Sequence, residues 1–317
     1  MKFPDNLDPG YFDKSYRLQP ELWKNAAEDL CIKYELPFHD FQAFTDGSNL
    51  IASVADKYII KIFPPFHRHQ WESEYRVLKH INNKIHIPVP ELIAWGERDD
   101  SWTYVILTKL PGVTMERIWE SLELTEKASL LFQIGKIMSQ VHSLGADELS
   151  DLPPQWGAFI TEMIEKCYER HKRLDAPDWL LQELKEYVNG NLHLLPKQFN
   201  PVVLTGEYTP FNLLVTKTNN QWNISAMIDF GDAMIGFSEY DLLGPSVFSC
   251  EGKIELITAL FEGYGIPYSN VSNEIKTRLM LLMLLHRYSD LNTQVLIPEW
   301  QRRVNSIDKL KLLIWPE

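Results

Sequence analysis

The chain should fold as an α+β protein in two parts, a small antiparallel sheet followed by a larger, mainly helical region. Three observations lead there. Between residues 38 and 108, short apolar runs that alternate with a period of two are separated by turn residues, as in strands with one buried face. From Thr114 onward the apolar spacing lengthens to that of helices, with Leu130, Ile134, Ile137, Met138 and Val141 on one stripe. Within the helical part lies one β-rich interruption, Val203 to Val215 and Trp222 to Ile228, whose runs end at polar residues. A strand that closes on Thr108-Lys-Leu-Pro-Gly112 marks the crossing, giving expected domains 1–108 and 109–317.

In the first part, residues 1–20 read as an extended arm, because Pro4, Pro9, Gly10 and Pro20 interrupt any long helix. Leu22 to Leu36 has helical spacing and is closed by Pro37. Strands are expected at Phe38 to Phe44 and Leu50 to Ala55, around the turn Thr45-Asp-Gly-Ser-Asn49. The next strand, Lys57 to Phe63, faces Lys61 away from its neighbours Ile60 and Ile62. A helix follows over His69 to Asn82, with Glu72 and Glu74 near its start, where acidic residues offset the helix dipole. Strands at Glu91 to Gly96 and Trp102 to Thr108 complete a five-stranded sheet.

In the second part, Glu126 to Leu144 is a long amphipathic helix with Gly145 as C-cap, and His142 in its last turn complements the dipole. Charge-rich helices are expected at Trp156 to Leu174 and Trp179 to Val188. Closing helices are expected at Ile254 to Tyr264, Asn273 to Tyr288 and Pro298 to Leu313. In the β-rich interruption, Glu207 and Asn212 stand five apart in one loop and Asp229 follows the next hairpin. Two carboxylates and an amide are the groups that orient a hydroxyl and hold Mg²⁺ through hard oxygen ligands. Asn212 also suits a turn residue that bonds its own backbone.

Composition bounds the function. The 317 residues, 45% hydrophobic, suffice for one large core or two moderate ones. With 31 Lys and Arg against 43 Asp and Glu, the formal charge is −12. That disfavours a nucleic-acid partner, whose phosphates call for clustered Lys and Arg; it suits a cationic small molecule, and equally serves solubility alone. Cys31, Cys167 and Cys250 are widely spaced and form no CxxC pair, which fits a reducing cytoplasm and no zinc site. The first ten residues hold no apolar stretch of signal-peptide length, and the longest apolar run, Leu279 to Leu285, is far short of the roughly 20 residues that span a bilayer. No membrane partner is expected.

The stretch Val203-Leu-Thr-Gly-Glu-Tyr-Thr-Pro-Phe-Asn-Leu-Leu-Val215, with Ile228-Asp-Phe-Gly-Asp232 after it, resembles the catalytic loop and metal-binding Asp of the aminoglycoside phosphotransferase family of kinase-like small-molecule kinases. The family pattern reads His-Gly-Asp, four residues, Asn, and later Ile-Asp-Phe/Trp-Gly. Here Thr205 replaces the His and Glu207 the catalytic Asp. The turn Gly-Ser-Asn-Leu, the strand Ile-Lys-Ile-Phe and the apolar run ending in His286 are similar to a branch that includes a hygromycin 7″-type kinase.

The resemblance implies a protein-kinase-like two-lobe fold: a small N-lobe with a five-stranded antiparallel sheet and a larger, mainly helical C-lobe. It implies ATP or GTP with Mg²⁺ as cofactors. Gly47, Ser48 and Asn49 would belong to the phosphate-covering turn, and Lys61 would pair with the α- and β-phosphates. Glu74 would hold Lys61, with Glu72 in reserve; the Thr108 carbonyl and Leu110 amide would read the adenine edge. Glu207 would orient the acceptor hydroxyl, while Asn212 and Asp229 would hold metal. Asp232, His286 and Asp290 are candidates for the acceptor pocket, with Asp175, Asp178 and Glu183 behind them. Asp241, within the family-like Tyr-Asp-Leu, is given a structural role, either a helix cap or a buried tie to the catalytic loop.

Three functions follow. The first is an ATP- and Mg²⁺-dependent phosphotransferase acting on a hydroxyl of a small, cationic, aminoglycoside-like molecule. The second is a nucleotide-binding pseudokinase, because Glu207 reaches about 1.5 Å farther than Asp and a misplacement of about 1 Å can cost on the order of 10²-fold in rate. The third is a kinase-shaped binding protein without nucleotide.

Overall fold

Five antiparallel strands in the order β1-β2-β3-β5-β4 make the sheet of the first unit: β1 (Gln42–Phe44), β2 (Leu50–Val54), β3 (Tyr58–Phe63), β4 (Leu92–Glu97) and β5 (Thr103–Thr108). The structure, a computed structural model, describes every residue of 1–317 except Met1, Asp5, Asn6 and Glu207. It divides into two units. The first comprises Met1–Lys84, Pro88–Pro111 and Ile228–Ala233; the second comprises Ile85–Ile87, Gly112–Met227 and Met234–Glu317.

One face of the sheet is buried under the N-terminal residues. Leu50, Ala52, Ile60, Ile62, Trp102, Tyr104 and Ile106 form a single core with Phe3, Phe12, Tyr16, Trp23 and Leu30. The expected extended arm is therefore corrected: Pro9–Lys14 is a helix, α1. Pro9 sits at its first position, where the missing N–H has no partner to lose, and the Asp8 carboxylate accepts the Tyr11 N–H at 2.8 Å. The helix turns Phe12 into the core. The second helix is also shorter than its periodicity suggests: α2 spans Lys24–Lys33. It ends because Glu35 turns left-handed at φ 54° and the Leu36 N–H returns to the Cys31 carbonyl at 2.8 Å.

The other face carries α3 (Arg68–Ile81), which buries Gln70, Ser73, Glu74, Val77, Leu78 and Ile81. Residues 228–233 join this unit although they lie far along the chain. The backbone N–H of Phe230 donates to Glu74 at 3.1 Å.

The second unit holds two small sheets. β6 (Val113–Thr114), β8 (Leu213–Thr218) and β9 (Gln221–Met227) run in the order β6-β8-β9, whereas β7 (Val202–Leu204) pairs with β10 (Met234–Gly236). The β8–β9 turn uses two left-handed asparagines, Asn219 and Asn220, at φ 50° and 62°, as a tight hairpin requires. The loop between β7 and β8 thus starts from one sheet and ends in another.

Helices α4 (Glu116–Trp119), α5 (Leu124–Ser143), α6 (Trp156–Arg173), α7 (Asp178–Asn191), α8 (Leu243–Phe248), α9 (Ile254–Tyr264), α10 (Asn273–Leu285), α11 (Leu291–Gln294), α12 (Trp300–Arg303) and α13 (Ile307–Ile314) make up the rest. α10 stops at Leu285 rather than Tyr288, because His286 turns extended at ψ 139°. The Leu284 carbonyl that its end orphans accepts bonds from Arg170 at 2.8 Å and His171 at 3.0 Å. The single helix expected over Pro298 to Leu313 is two helices. Ser306 breaks it by capping α13, its hydroxyl accepting the Lys309 N–H at 3.3 Å. Among the described residues, no helix is long and apolar enough to cross a membrane.

α5 and α9 meet backbone to backbone. A Cβ at Gly135 would lie 2.3 Å from the Leu260 carbonyl oxygen, and one at Gly263 would lie 2.1 Å from that of Phe132. Gly135→Ala should therefore force the helices apart and cost about 2 kcal/mol or more. Gly190→Ala in α7, where nothing lies within 4 Å, should gain about 0.5 kcal/mol from helix propensity. Denaturant unfolding of both variants checks the contrast; equal effects would mean that the helices are not in contact.

His171 gives a second test. Burial pushes its imidazole down to about 4, below the roughly 6.5 of an unfolded chain. Its stabilising contribution is complete above about 6.5 and is lost as pH falls toward 4, by up to about 1.4 kcal/mol per pH unit. His171→Gln, which can still donate to the Leu284 carbonyl, should flatten that slope. Unfolding free energies between pH 7 and 4.5 that fall equally steeply in both proteins would refute the assignment.

Candidate active site

β3 and α3 present two charged side chains to one another. The alternation that buries Ile60 and Ile62 in the core turns Lys61 to the opposite face, where it is only 7% exposed. Its ammonium lies 3.0 Å from Glu74 Oε2 and 3.1 Å from Asp229 Oδ1. Glu72, half a turn from Glu74, instead bonds Arg76 at 2.9 Å.

Asp229 is held in a left-handed conformation at φ 66°, which Asp tolerates better than most residues. Gly231 follows, its N–H 3.3 Å from Asp229 Oδ1. A Cβ added there would lie 3.4 Å from that of Gln70, an ordinary van der Waals contact.

One ammonium stands between two carboxylates, with one negative charge in excess when both are ionised. Burial pulls Lys61 down, but Asp229 and Glu74 outweigh it and hold the ammonium above its ordinary range. Burial and the Asp229 charge push Glu74 up to about 7 against the pull of Lys61. Asp229 is itself pushed up by burial, yet Lys61 and the Gly231 N–H hold it below the usual carboxylate range. Its side chain is 39% exposed. An ionised carboxylate partly open to solvent is a hard-oxygen donor that suits Mg²⁺. Among the described residues no three His, Cys, Asp or Glu converge as a complete cage; Mg²⁺ usually takes one or two protein carboxylates and completes its shell with phosphates and water.

Around the turn, Gly47 adopts φ 103°, a conformation that favours glycine. Asn49 donates to Gln70 Oε1 at 2.8 Å, and Ser48 donates to the same oxygen at 3.3 Å. Gln70 was not singled out from the sequence. The available signal was its position four residues before Glu74, on the same face of α3. At the end of β5, Thr108 donates its N–H to the Glu91 carbonyl and Lys109 donates to that of Lys57; neither bond uses the Thr108 carbonyl or the Leu110 amide.

In the second unit, Asp241 is buried and bonds the loop that follows β7. Its oxygens accept the Gly206 N–H at 2.8 Å and the Thr205 N–H at 3.1 Å, and His142 Nε2 lies 3.0 Å away. His142 Nδ1 is 2.9 Å from the Tyr264 hydroxyl. Of the two roles open to Asp241 from the sequence, the structure places it as the buried tie, and gives His142 a part in it. The donors at Thr205 and Gly206 are backbone groups, so the tie does not depend on which side chain occupies position 205. Glu207 lies outside the described residues. Asn212, half-buried just before β8, donates its N–H to the Thr209 carbonyl at 3.2 Å.

The remaining candidates take separate local roles. Asp232 accepts from Gln70 at 3.4 Å. His286 stacks on Tyr240 with ring centroids 4.7 Å apart, and burial with the charges of Arg287 and Arg170 pushes it down to about 3. Asp290 caps α11 by accepting the Asn292 N–H at 3.1 Å. Glu183 accepts the Ile307 N–H at 2.9 Å. Asp178 is the first residue of α7, and Asp175 is left-handed at φ 52°.

A five-stranded sheet whose third strand carries a lysine paired with a helix glutamate, and an Asp-Phe-Gly segment that returns to that pair, define a kinase-like fold. The chain belongs to the phosphotransferase enzyme family, APH, whose model matches residues 45–273. Solved structures agree in fold. The GDP complex of wild-type aminoglycoside 2'-phosphotransferase-IIIa superposes with a TM-score of 0.69 at 14% identity, covering 92% of this chain and 96% of that one. The streptomycin-ATP-APH(2")-IIa ternary complex gives 0.57 at 16% identity, covering 83% and 90%. A lysine-specific demethylase, JMJ21, of Arabidopsis thaliana is 20% identical over 269 residues, 68% of this chain; the chain spans only 28% of that relative's length.

The Asp241 tie is directly testable. Asp241→Ala should strand two loop N–H groups and His142, at a cost of about 3 kcal/mol. Denaturant unfolding with a loss below about 0.5 kcal/mol would show that these bonds do not hold the loop.

Proposed function

We propose that this protein is a nucleotide- and Mg²⁺-dependent phosphotransferase that phosphorylates a hydroxyl of a small molecule. The observation that carries the proposal is Lys61, buried and charged between Glu74 at 3.0 Å and Asp229 at 3.1 Å. A buried ammonium with an excess of carboxylate beside it is a ready partner for phosphate oxygens once a metal takes up the second carboxylate. In this proposal the nucleotide is bound through residues 1–108, by Gly47, Ser48, Asn49, Lys61 and the Thr108 carbonyl, and by the Leu110 amide just beyond them. Residues 109–317 supply the acceptor loop. Glu74 holds Lys61 in place.

Asp229 and Asn212 would hold Mg²⁺ through oxygen atoms, and the ion, when bound, supplies charge neutralisation for the phosphates. Glu207 would accept the hydroxyl proton as the acceptor oxygen bonds to the γ-phosphorus; the bond from that phosphorus to the bridging oxygen breaks, and the nucleoside diphosphate leaves with the electron pair. The acceptor proposed is a cationic, amino-sugar-like molecule, in keeping with the net charge of −12 and with the streptomycin carried by one structural relative. A hygromycin-like acceptor is one member of that class. The buried, unpaired Cys31, Cys167 and Cys250 fit a cytoplasmic setting.

A second function, nucleotide binding with little or no turnover, is favoured by one observation: Glu207 stands where the family pattern has Asp. The retained Lys61, Glu74 and Asp229 cluster weighs against a binding protein that takes no nucleotide.

Labelled ATP and GTP, offered with a panel of amino sugars and amines, decide among these. The proposal expects phosphoryl transfer by the wild type, reduced by about 10²-fold or more in Lys61→Ala and Asp229→Ala. Transfer that emerges only in Glu207→Asp would favour the second function. A thermal midpoint indifferent to either nucleotide with Mg²⁺ would exclude both.

A further inference from the structure

The side chains about Asn49 form a hydrogen-bonded chain with a fixed direction. His67 Nδ1 lies 3.0 Å from Asn49 Oδ1, Asn49 Nδ2 donates to Gln70 Oε1 at 2.8 Å, and Gln70 Nε2 donates to Asp232 Oδ1 at 3.4 Å. A carboxylate only accepts, so the Gln70 amide must turn its NH₂ toward Asp232 and its oxygen toward Asn49. Asn49 must then turn its own oxygen toward His67. Flipping Gln70 breaks bonds at both of its ends, and flipping Asn49 breaks its bond to Gln70. Gln70 is 5% exposed and Asn49 8%, and a buried amide left unpaired is costly.

The chain is pinned beyond its ends. The His67 ring meets Phe66 edge-on at 4.7 Å and Phe12 of α1 at 6.1 Å. Arg17 donates to the Thr45 carbonyl at the start of the same turn. At the other end, Asp232 lies three residues after Asp229. Gln70 and Glu74 stand one helical turn apart on α3. One helix face therefore grips both Lys61 and the turn that holds Ser48 and Asn49.

We infer that Gln70 is a positioning residue for the nucleotide: it ties the turn at Ser48 and Asn49 to Asp232, and Asp232 serves that tie rather than the acceptor. The inference rests on the nucleotide-binding function proposed above. Gln70→Glu keeps an oxygen for Asn49 and Ser48 but sets a second carboxylate against Asp232. Gln70→Met removes all three bonds, those from Asn49 and Ser48 and that to Asp232. The double variant Gln70→Glu/Asp232→Asn restores the chain, because the new amide can donate to the new carboxylate.

Affinity for ATP with Mg²⁺, measured calorimetrically on the full chain, should weaken in both single Gln70 variants on the order of tenfold, the effect of losing the hydrogen bonds that hold the turn. The double variant should recover most of that loss, a coupling that independent sites would not show. The KM for the amino sugar of the panel that the wild type phosphorylates should stay within about twofold, as expected of a group that makes no acceptor contact. Three outcomes overturn the inference while leaving nucleotide binding intact: unchanged affinity in folded Gln70 variants, no recovery in the double variant, or Asp232→Asn raising only the acceptor KM. A wild type that binds no nucleotide would instead sink the proposed function, and this inference with it.

Discussion

The cost of burying an ammonium governs the first unit. Lys61 stays charged at 7% exposure only because carboxylates replace its lost water, and a buried ion pair of this kind is typically no more stable than well-packed apolar residues of similar volume. Its neighbours are arranged around that requirement. Glu74 comes from the buried face of α3, and Asp229 reaches in through a left-handed backbone. Strain and desolvation gathered at one point are characteristic of a site kept for chemistry.

The second unit answers a different demand with similar means. There a buried carboxylate, Asp241, is stabilised by backbone N–H groups and a histidine rather than by an ammonium. Since its loop donors are main-chain atoms, the loop after β7 can keep its anchorage with threonine at a position where the family has histidine. The departure at 205 is thus structurally mild. The departure at 207 changes the reach of the group that would meet the acceptor.

The N-terminal residues are part of the same economy of burial. A five-stranded sheet exposes two apolar faces, and α3 covers only one. Phe3, Phe12, Tyr16 and Trp23 supply the second layer, so the segment folds into short helical turns that a fully extended chain could not replace. Through Arg17 and His67 that layer also contacts the turn between β1 and β2 and its partners.

Local spacing in the sequence determined the strand and helix order, the opposite facing of Lys61 and Ile60, and the separation of Glu74 from Glu72. Each of these follows from periods of 2.0 and 3.6 residues, which operate within a few residues of chain. Tertiary structure alone decided that residues 9–22 coil over a sheet, that Asp241 ties a loop instead of capping a helix, and that Ser306 splits a helix in two. It alone joined Gln70 to Asp232, 162 residues away. Amide and carboxylate side chains carry no periodic signature, and their partners are set by which surfaces the packed elements bring together.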